Sequence, residues 1–313
     1  ANIPDSADTN KVHRTDVSMQ NPDRRNDNFT EIEKGFSEEE AVREANSCLQ
    51  CGNCAECMEC VRTCKADAID HNQKDITREL HVGAIIATGG FSVFDAYKKP
   101  EYGYGRYPNV VTSLQFERIL SASGPYDGHL KRPYDGKKPR KIAWIQCVGS
   151  RDVTLGNDYC SSVCCMYAIK EAIIAKEHEP DVEPTIFYID IRAFGKGFES
   201  FYERAKNESG VRFVRSQISS IKEDPLSRNL LLQFVDEREG KQRVVEESFD
   251  MVVLSVGLVS NPATQSLADI LQIQRNPFGF LEEKKLHPLQ SSREGIFLCG
   301  AGSGPKDRSE ERR

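Results

Sequence analysis

Apolar residues in this chain gather into short runs separated by polar stretches, and several runs read as strands. Leu80-His81-Val82-Gly83-Ala84-Ile85-Ile86-Ala87-Thr88-Gly89-Gly90 predicts a buried strand ending in a glycine turn. Lys141 to Cys147 and Met251 to Val256 predict further buried strands, and Gly295 to Gly300 a short one entering a Gly-rich turn. Helices are expected over Thr112–Ser121, from about Tyr159 to Glu177, and over Phe198–Lys206, with strands at Thr185–Ile191 and Val211–Val214. From Lys141 onward this is β-α-β-α-β, the pattern of a parallel sheet with crossover helices. Residues 217–247 mix polar and apolar positions around Leu230-Leu231-Leu232 and a turn at Arg238-Glu239-Gly240, and predict a small antiparallel ribbon. The stretch 124–139 is rich in Gly, Pro, Lys and Asp and reads as a surface loop. Ser37-Glu38-Glu39-Glu40 is a capping box opening a helix through Ala45. Residues 1–35 are nearly free of large apolar side chains and read as a flexible arm or as a segment that wraps a partner subunit.

The chain has 313 residues, which suggests two domains at roughly 100–200 residues each. Its net charge of −6 and the absence of a basic block make nucleic acid an unexpected partner. No apolar run approaches the roughly 18 residues of a membrane span. The start Ala1-Asn2-Ile3-Pro4-Asp5-Ser6 lacks the regions of a secretion signal, so a cytoplasmic location is expected. Eleven cysteines change the picture. Six lie within 48–64 and four within 147–165, and Cys299 stands alone. Disulfide frameworks spread along a chain. Bunching points to metal or redox chemistry.

In the first window Cys54, Cys57, Cys60 and Cys64 match the ferredoxin spacing C-x2-C-x2-C-x3-C, preceded by Cys48 and Cys51. Lys65 follows, where a Pro is usual. Short spacings wrap a tight loop round a cubane, with backbone N–H groups facing the sulfurs. A zinc knuckle also uses C-x2-C pairs, but consecutive short spacings without His favour iron and sulfide. Six cysteines suffice for one cluster and fall short of two. Either Cys64 pairs with Cys48 or Cys51, or a partner protein completes a second site. In the second window, Cys147 ends a strand and Cys160, Cys164 and Cys165 open the following helix. On a helix, 160 and 164 would share one face, and a helix N-terminus suits thiolates. Free cysteines packing in an α/β core are the alternative.

The residues around the second window carry a resemblance. Gln146-Cys147-Val148-Gly149-Ser150-Arg151-Asp152 and Tyr159-Cys160-Ser161-Ser162-Val163-Cys164-Cys165-Met166-Tyr167-Ala168-Ile169-Lys170 resemble the A subunit of heterodisulfide reductase. So do Tyr102-Gly103-Tyr104-Gly105, Ser113 to Arg118, Asp190 to Gly197, and Gly304 to Asp307. Gly35 to Ala41 leading into Cys48-Leu49-Gln50-Cys51-Gly52 is similar to the iron–sulfur segment of proteins related to the glutamate synthase small subunit. The resemblance implies a [4Fe–4S] cluster at Cys147, Cys160, Cys164 and Cys165, hence two or more clusters in all. It implies an α/β, thioredoxin-reductase-like two-domain (FAD/NAD(P)-binding) fold with an N-terminal ferredoxin-like segment. FAD would be held by Ala87, Thr88, Gly89 and Gly90 and by Gly300, Ala301 and Gly304, although Ala301 stands where the family has Asp. Lys170 would lie near flavin N5, where a cation stabilises the reduced, anionic flavin, with Glu117 nearby.

The FAD half reads as incomplete, because no G-x-G-x-x-G follows a strand. Either the sequence is a fragment, or a separate subunit supplies that half, or FAD is not held. Cys147-Val148-Gly149-Ser150 replaces the second phosphate loop, so no direct nicotinamide binding is expected there. The expected organisation is an arm over 1–36, an iron–sulfur segment over 37–72, an FAD-domain portion from 73–140 and 251–313, and a Rossmann-like domain over 141–250. The resemblance implies an oxidoreductase: an electron-transfer flavoprotein subunit of a multi-subunit redox complex, relaying or bifurcating electrons between FAD and clusters. A self-sufficient NAD(P)H oxidoreductase of the glutamate synthase type and a zinc-binding scaffold are the alternatives.

Overall fold

The computed structural model describes residues 15–25, 28, 30, 32–46, 58–238 and 241–306. The chain divides into two units, Ala1–Glu79 and Leu80–Arg313. In the first, α1 (Glu38–Asn46) opens on the expected capping box: Glu40 N–H donates to Ser37 Oγ and Ser37 N–H to Glu40 Oε2. The arm doubles back on itself, with Gln20 N–H donating to the Ile32 carbonyl and Lys34 N–H to that of Ser18. A short α2 (Glu59–Thr63) carries Cys60.

The second unit runs β1 (Ile85–Ala87), β2 (Phe91–Val93), β3 (Val110–Thr112), α3 (Ser113–Leu120), β4 (Lys141–Val148), α4 (Cys164–His178), β5 (Glu183–Tyr188), α5 (Phe198–Asn207), β6 (Arg212–Arg215), β7 (Ile221–Glu223), β8 (Leu230–Arg238), β9 (Lys241–Phe249), β10 (Met251–Val256), β11 (Leu258–Ser260), α6 (Pro262–Leu271) and β12 (Ile296–Leu298). Five strands form one parallel sheet in the order β3-β10-β4-β5-β6. The apolar runs of β4 and β10 place successive residues on opposite faces, and both faces are covered. Ile142, Trp144, Met251 and Val253 pack against Phe116 of α3, Ala168, Ile169 and Ala172 of α4 and Ala205 of α5. Ala143, Ile145, Val252 and Leu254 pack against Leu230, Leu232, Phe234 and Phe249 of the antiparallel β7-β8-β9 sheet, the expected ribbon. A sheet buried on both faces is what continuous apolar strands require. The sheet crosses the boundaries expected at 140/141 and 250/251, because β3 and β10 pair into it on the far side of β4.

The run 80–90 departs from expectation. Only Ile85–Ala87 forms a strand, and among the described residues it pairs, in parallel, with β12 alone. One face of this pair is covered: Ala87, Ile296 and Leu298 pack with Leu281 and Ala268 of α6. The other is open, leaving Ile86 67% and Phe297 38% exposed. A two-stranded sheet has one packed side here, so Ile86 and Phe297, paired on the other side, face solvent. The antiparallel β2–β11 pair and α6 were not foreseen.

Candidate functional site

The expected helix over 159–177 begins only at Cys164. Cys160 lies in the preceding loop, so Cys160 and Cys164 do not share a helix face. The cause is local. Ser162 holds a left-handed φ of 63°, and the buried Ser161 hydroxyl accepts the Leu258 N–H at 2.8 Å and meets Ser150 Oγ at 3.0 Å. Ser161 N–H in turn donates to Ser150 Oγ. This serine pair, which sequence reasoning missed, ties the cysteine loop to the turn after β4 and to the start of β11. Cys147 and Arg151 also hold left-handed backbone, at φ 61° and 57°, conformations that cost non-glycine residues energy and cluster at functional sites.

Thus four thiols arrive from three elements: Cys147 from β4, Cys160 from the loop, and Cys164 and Cys165 from the first turn of α4. The charges of neighbouring cysteines, Cys160 among them, act on Cys147, Cys164 and Cys165. Burial, together with that mutual repulsion, pushes Cys147 up to about 12 and raises Cys164 and Cys165 as well. Backbone N–H groups meet two of the sulfurs: Ser162 donates to Cys160 at 3.3 Å and Arg192 to Cys165 at 3.5 Å. Buried thiolates this close need a positive group between them and N–H donors around them, which a bound metal cluster and this loop would supply. Among the described residues, no three His, Cys, Asp or Glu side chains are set to hold a single ion. A single zinc would draw its sulfurs to about 2.3 Å from one centre, whereas a cubane spreads its ligands over four corners.

Beside Cys147 a cavity of about 280 Å³ opens at the carboxyl ends of β4, β5 and β6, lined in part by Gln146, Tyr102, Lys99 and Ser216. Gln146 is 6% exposed, and neither its Nε2 nor its Oε1 has a partner. A lone polar residue in the apolar run of β4 was the available signal. On the helix side of the same strand, the Trp144 indole donates to Glu171 at 2.9 Å, and burial raises that carboxyl to about 8.

Of the first window, Cys48, Cys51, Cys54 and Cys57 lie outside the described residues. Cys60 and Cys64 are described. Cys64 Sγ accepts the Ala68 N–H at 3.4 Å, and the neighbouring amides hold its thiol below its ordinary range.

The glycine stretches are brought together. Cys299 N–H donates to the Ala87 carbonyl, and Gly302 packs so tightly that an added Cβ would sit 3.2 Å from the amide nitrogens of both Gly89 and Gly90. At Gly89 an added Cβ would fall 2.5 Å from Thr264 Oγ1, a buried hydroxyl without a partner. Ala87–Gly90 and Gly300–Gly304 therefore meet backbone to backbone at the ends of β1 and β12, and the glycines there admit close backbone approach by a bound group. Lys170 and Glu117 meet at 3.0 Å across α4 and α3, both about half exposed.

No family model matches the chain. The chain is 48% identical over 244 residues to an iron–sulfur A subunit of the CoB–CoM heterodisulfide reductase of Methanopyrus kandleri, an alignment covering 77% of this chain and 37% of that protein. It is 44% identical over 266 residues to the corresponding A subunit of Methanocaldococcus jannaschii, covering 84% and 39%. The A subunit of a ferredoxin/F420H2-dependent CoB–CoM heterodisulfide reductase of Methanosarcina acetivorans is 41% identical, covering 84% and 32%. Among solved structures, thioredoxin reductases of T. acidophilum and Lactococcus lactis are similar, at TM-scores of 0.42 and 0.43 and identities of 13% and 16%. Each likeness covers 73% of this chain and 60% of the other. No helix among the described residues is long and apolar enough to cross a membrane. The chain spans about two fifths of the length of the first two relatives, and over that stretch it belongs to the family of heterodisulfide reductase iron–sulfur A subunits.

Proposed function

We propose that this chain is the electron-relaying part of an iron–sulfur flavoprotein oxidoreductase that works within a multi-subunit complex of the heterodisulfide reductase kind. The observation that carries this reading is the convergence of Cys147, Cys160, Cys164 and Cys165 at the end of β4 and the start of α4. These four would hold one [4Fe–4S] cluster, and the run Cys48, Cys51, Cys54, Cys57, Cys60 and Cys64 would hold at least one more. The Gly89–Gly90 and Gly302 glycines would meet FAD. Flavin supplies the exchange between paired and single electrons, and the clusters carry single electrons. The protein's own work is to exclude water from Cys164 and Cys165, to turn N–H donors towards Cys160 and Cys165, and to hold the Lys170 cation close to the flavin.

The test is iron, sulfide and flavin content of the intact native complex, purified anaerobically. Cys164→Ser and Cys147→Ser should each remove one cluster's iron and sulfide and leave the remainder. Iron and sulfide below one cluster per chain in the wild type would sink the reading.

A further inference from the structure

Cys60 and Cys64 are followed by a short segment that returns to both of them. Cys64 Sγ accepts the Ala68 N–H. Three residues on, His71 Nε2 lies 3.5 Å from Cys60 Sγ. The position of His71 is set locally. Asp70 Oδ1 accepts the Asn72 N–H at 2.8 Å, and the Asp70 carbonyl accepts the Gln73 N–H, so the chain turns at His71.

We propose that His71 donates a hydrogen bond to the Cys60 thiolate of the cluster held by the first cysteine run, and so sets that cluster's reduction potential. This rests on the reading of that run as a cluster site. The direction of the bond follows from chemistry: a metal-bound thiolate carries no proton and can only accept, so the imidazole must present Nε2–H. Donors to cluster sulfurs stabilise the more negative, reduced form and raise the potential. Cys64 receives its donor from the backbone. At Cys60 the donor at hand is a side chain, His71. His71 is exposed, so core packing does not explain its placement.

The experiment compares wild type, His71→Phe and His71→Gln in the intact, anaerobically purified complex. It measures iron and sulfide content together with an EPR-monitored redox titration of the signal that disappears in Cys60→Ala. Phe keeps the ring and loses the donor, whereas Gln keeps a donor. The expected result is unchanged iron and sulfide in all three, with a lower midpoint potential in His71→Phe and a smaller shift in His71→Gln. A tenfold change in the ratio of reduced to oxidised cluster corresponds to about 59 mV for one electron. Equal potentials in wild type and His71→Phe would overturn the proposal, as would loss of the cluster in His71→Phe, which would make His71 a ligand. Absence of any such signal and of iron in the wild type would instead fail the underlying cluster reading.

Discussion

Replacing Glu171 by Gln should leave stability nearly unchanged near pH 5 and raise it near pH 8. Glu171 is 3% exposed, on the inner face of α4, and accepts the Trp144 indole N–H at 2.9 Å. Burial lifts its pKa from the ordinary 4.5 to about 8, outweighing the hydrogen bond and the nearby Lys170. The folded state therefore holds a neutral carboxyl over a range in which the unfolded chain releases its proton. A raised pKa gives stability that is complete below about pH 4.5 and is lost as pH climbs towards 8. At 1.36 kcal/mol per pH unit, the interval from 4.5 to about 8 sets a ceiling of about 5 kcal/mol. The glutamine side chain keeps an oxygen for Trp144 and has no proton to lose. Urea unfolding of both proteins near pH 5, 6.5 and 8 should show the wild type falling steadily below Glu171→Gln. Parallel curves would refute a neutral buried Glu171.

Ser161→Ala removes the acceptor of a buried Leu258 N–H and one partner of Ser150, and should cost about 1–3 kcal/mol in urea unfolding. Gly149→Ala places a Cβ about 2.0 Å from the Phe94 ring at a φ of 71°. The backbone strain alone is about 1–3 kcal/mol, and the iron content of the purified protein should fall with it. Lys170→Met breaks an exposed ion pair with Glu117 and should change stability by less than about 1 kcal/mol. In the native complex it should still lower the flavin midpoint potential; an unchanged potential would remove Lys170 from the flavin's surroundings.

The parallel sheet was legible because β4 and β10 are continuous apolar runs long enough to need cover on both faces. The convergence of Ala87–Gly90 with Gly300–Gly304 was legible as two glycine turns at strand ends, though nothing in either stretch names the other as its partner. The start of α4 was misread because Cys160 and Cys164 keep helical spacing. What breaks the helix there is a serine hydroxyl engaged by Leu258, nearly a hundred residues away, and periodicity carries no trace of such a contact. For the same reason Ser161 read as part of the expected helix, and its contact with Ser150 could not be seen. The open face of β1 was hidden too: apolarity predicts burial only when some other element is present to provide it.

That open face governs how the polypeptide should be handled. Ile86 and Phe297 stand side by side in register across β1 and β12, with Ile85 and Val82 also exposed nearby in sequence. Among the described residues, β1 pairs only with β12, so its outer edge still offers unpaired backbone groups. A bare strand edge beside exposed branched and aromatic side chains invites pairing between copies. Material containing only these residues should self-associate as concentration rises.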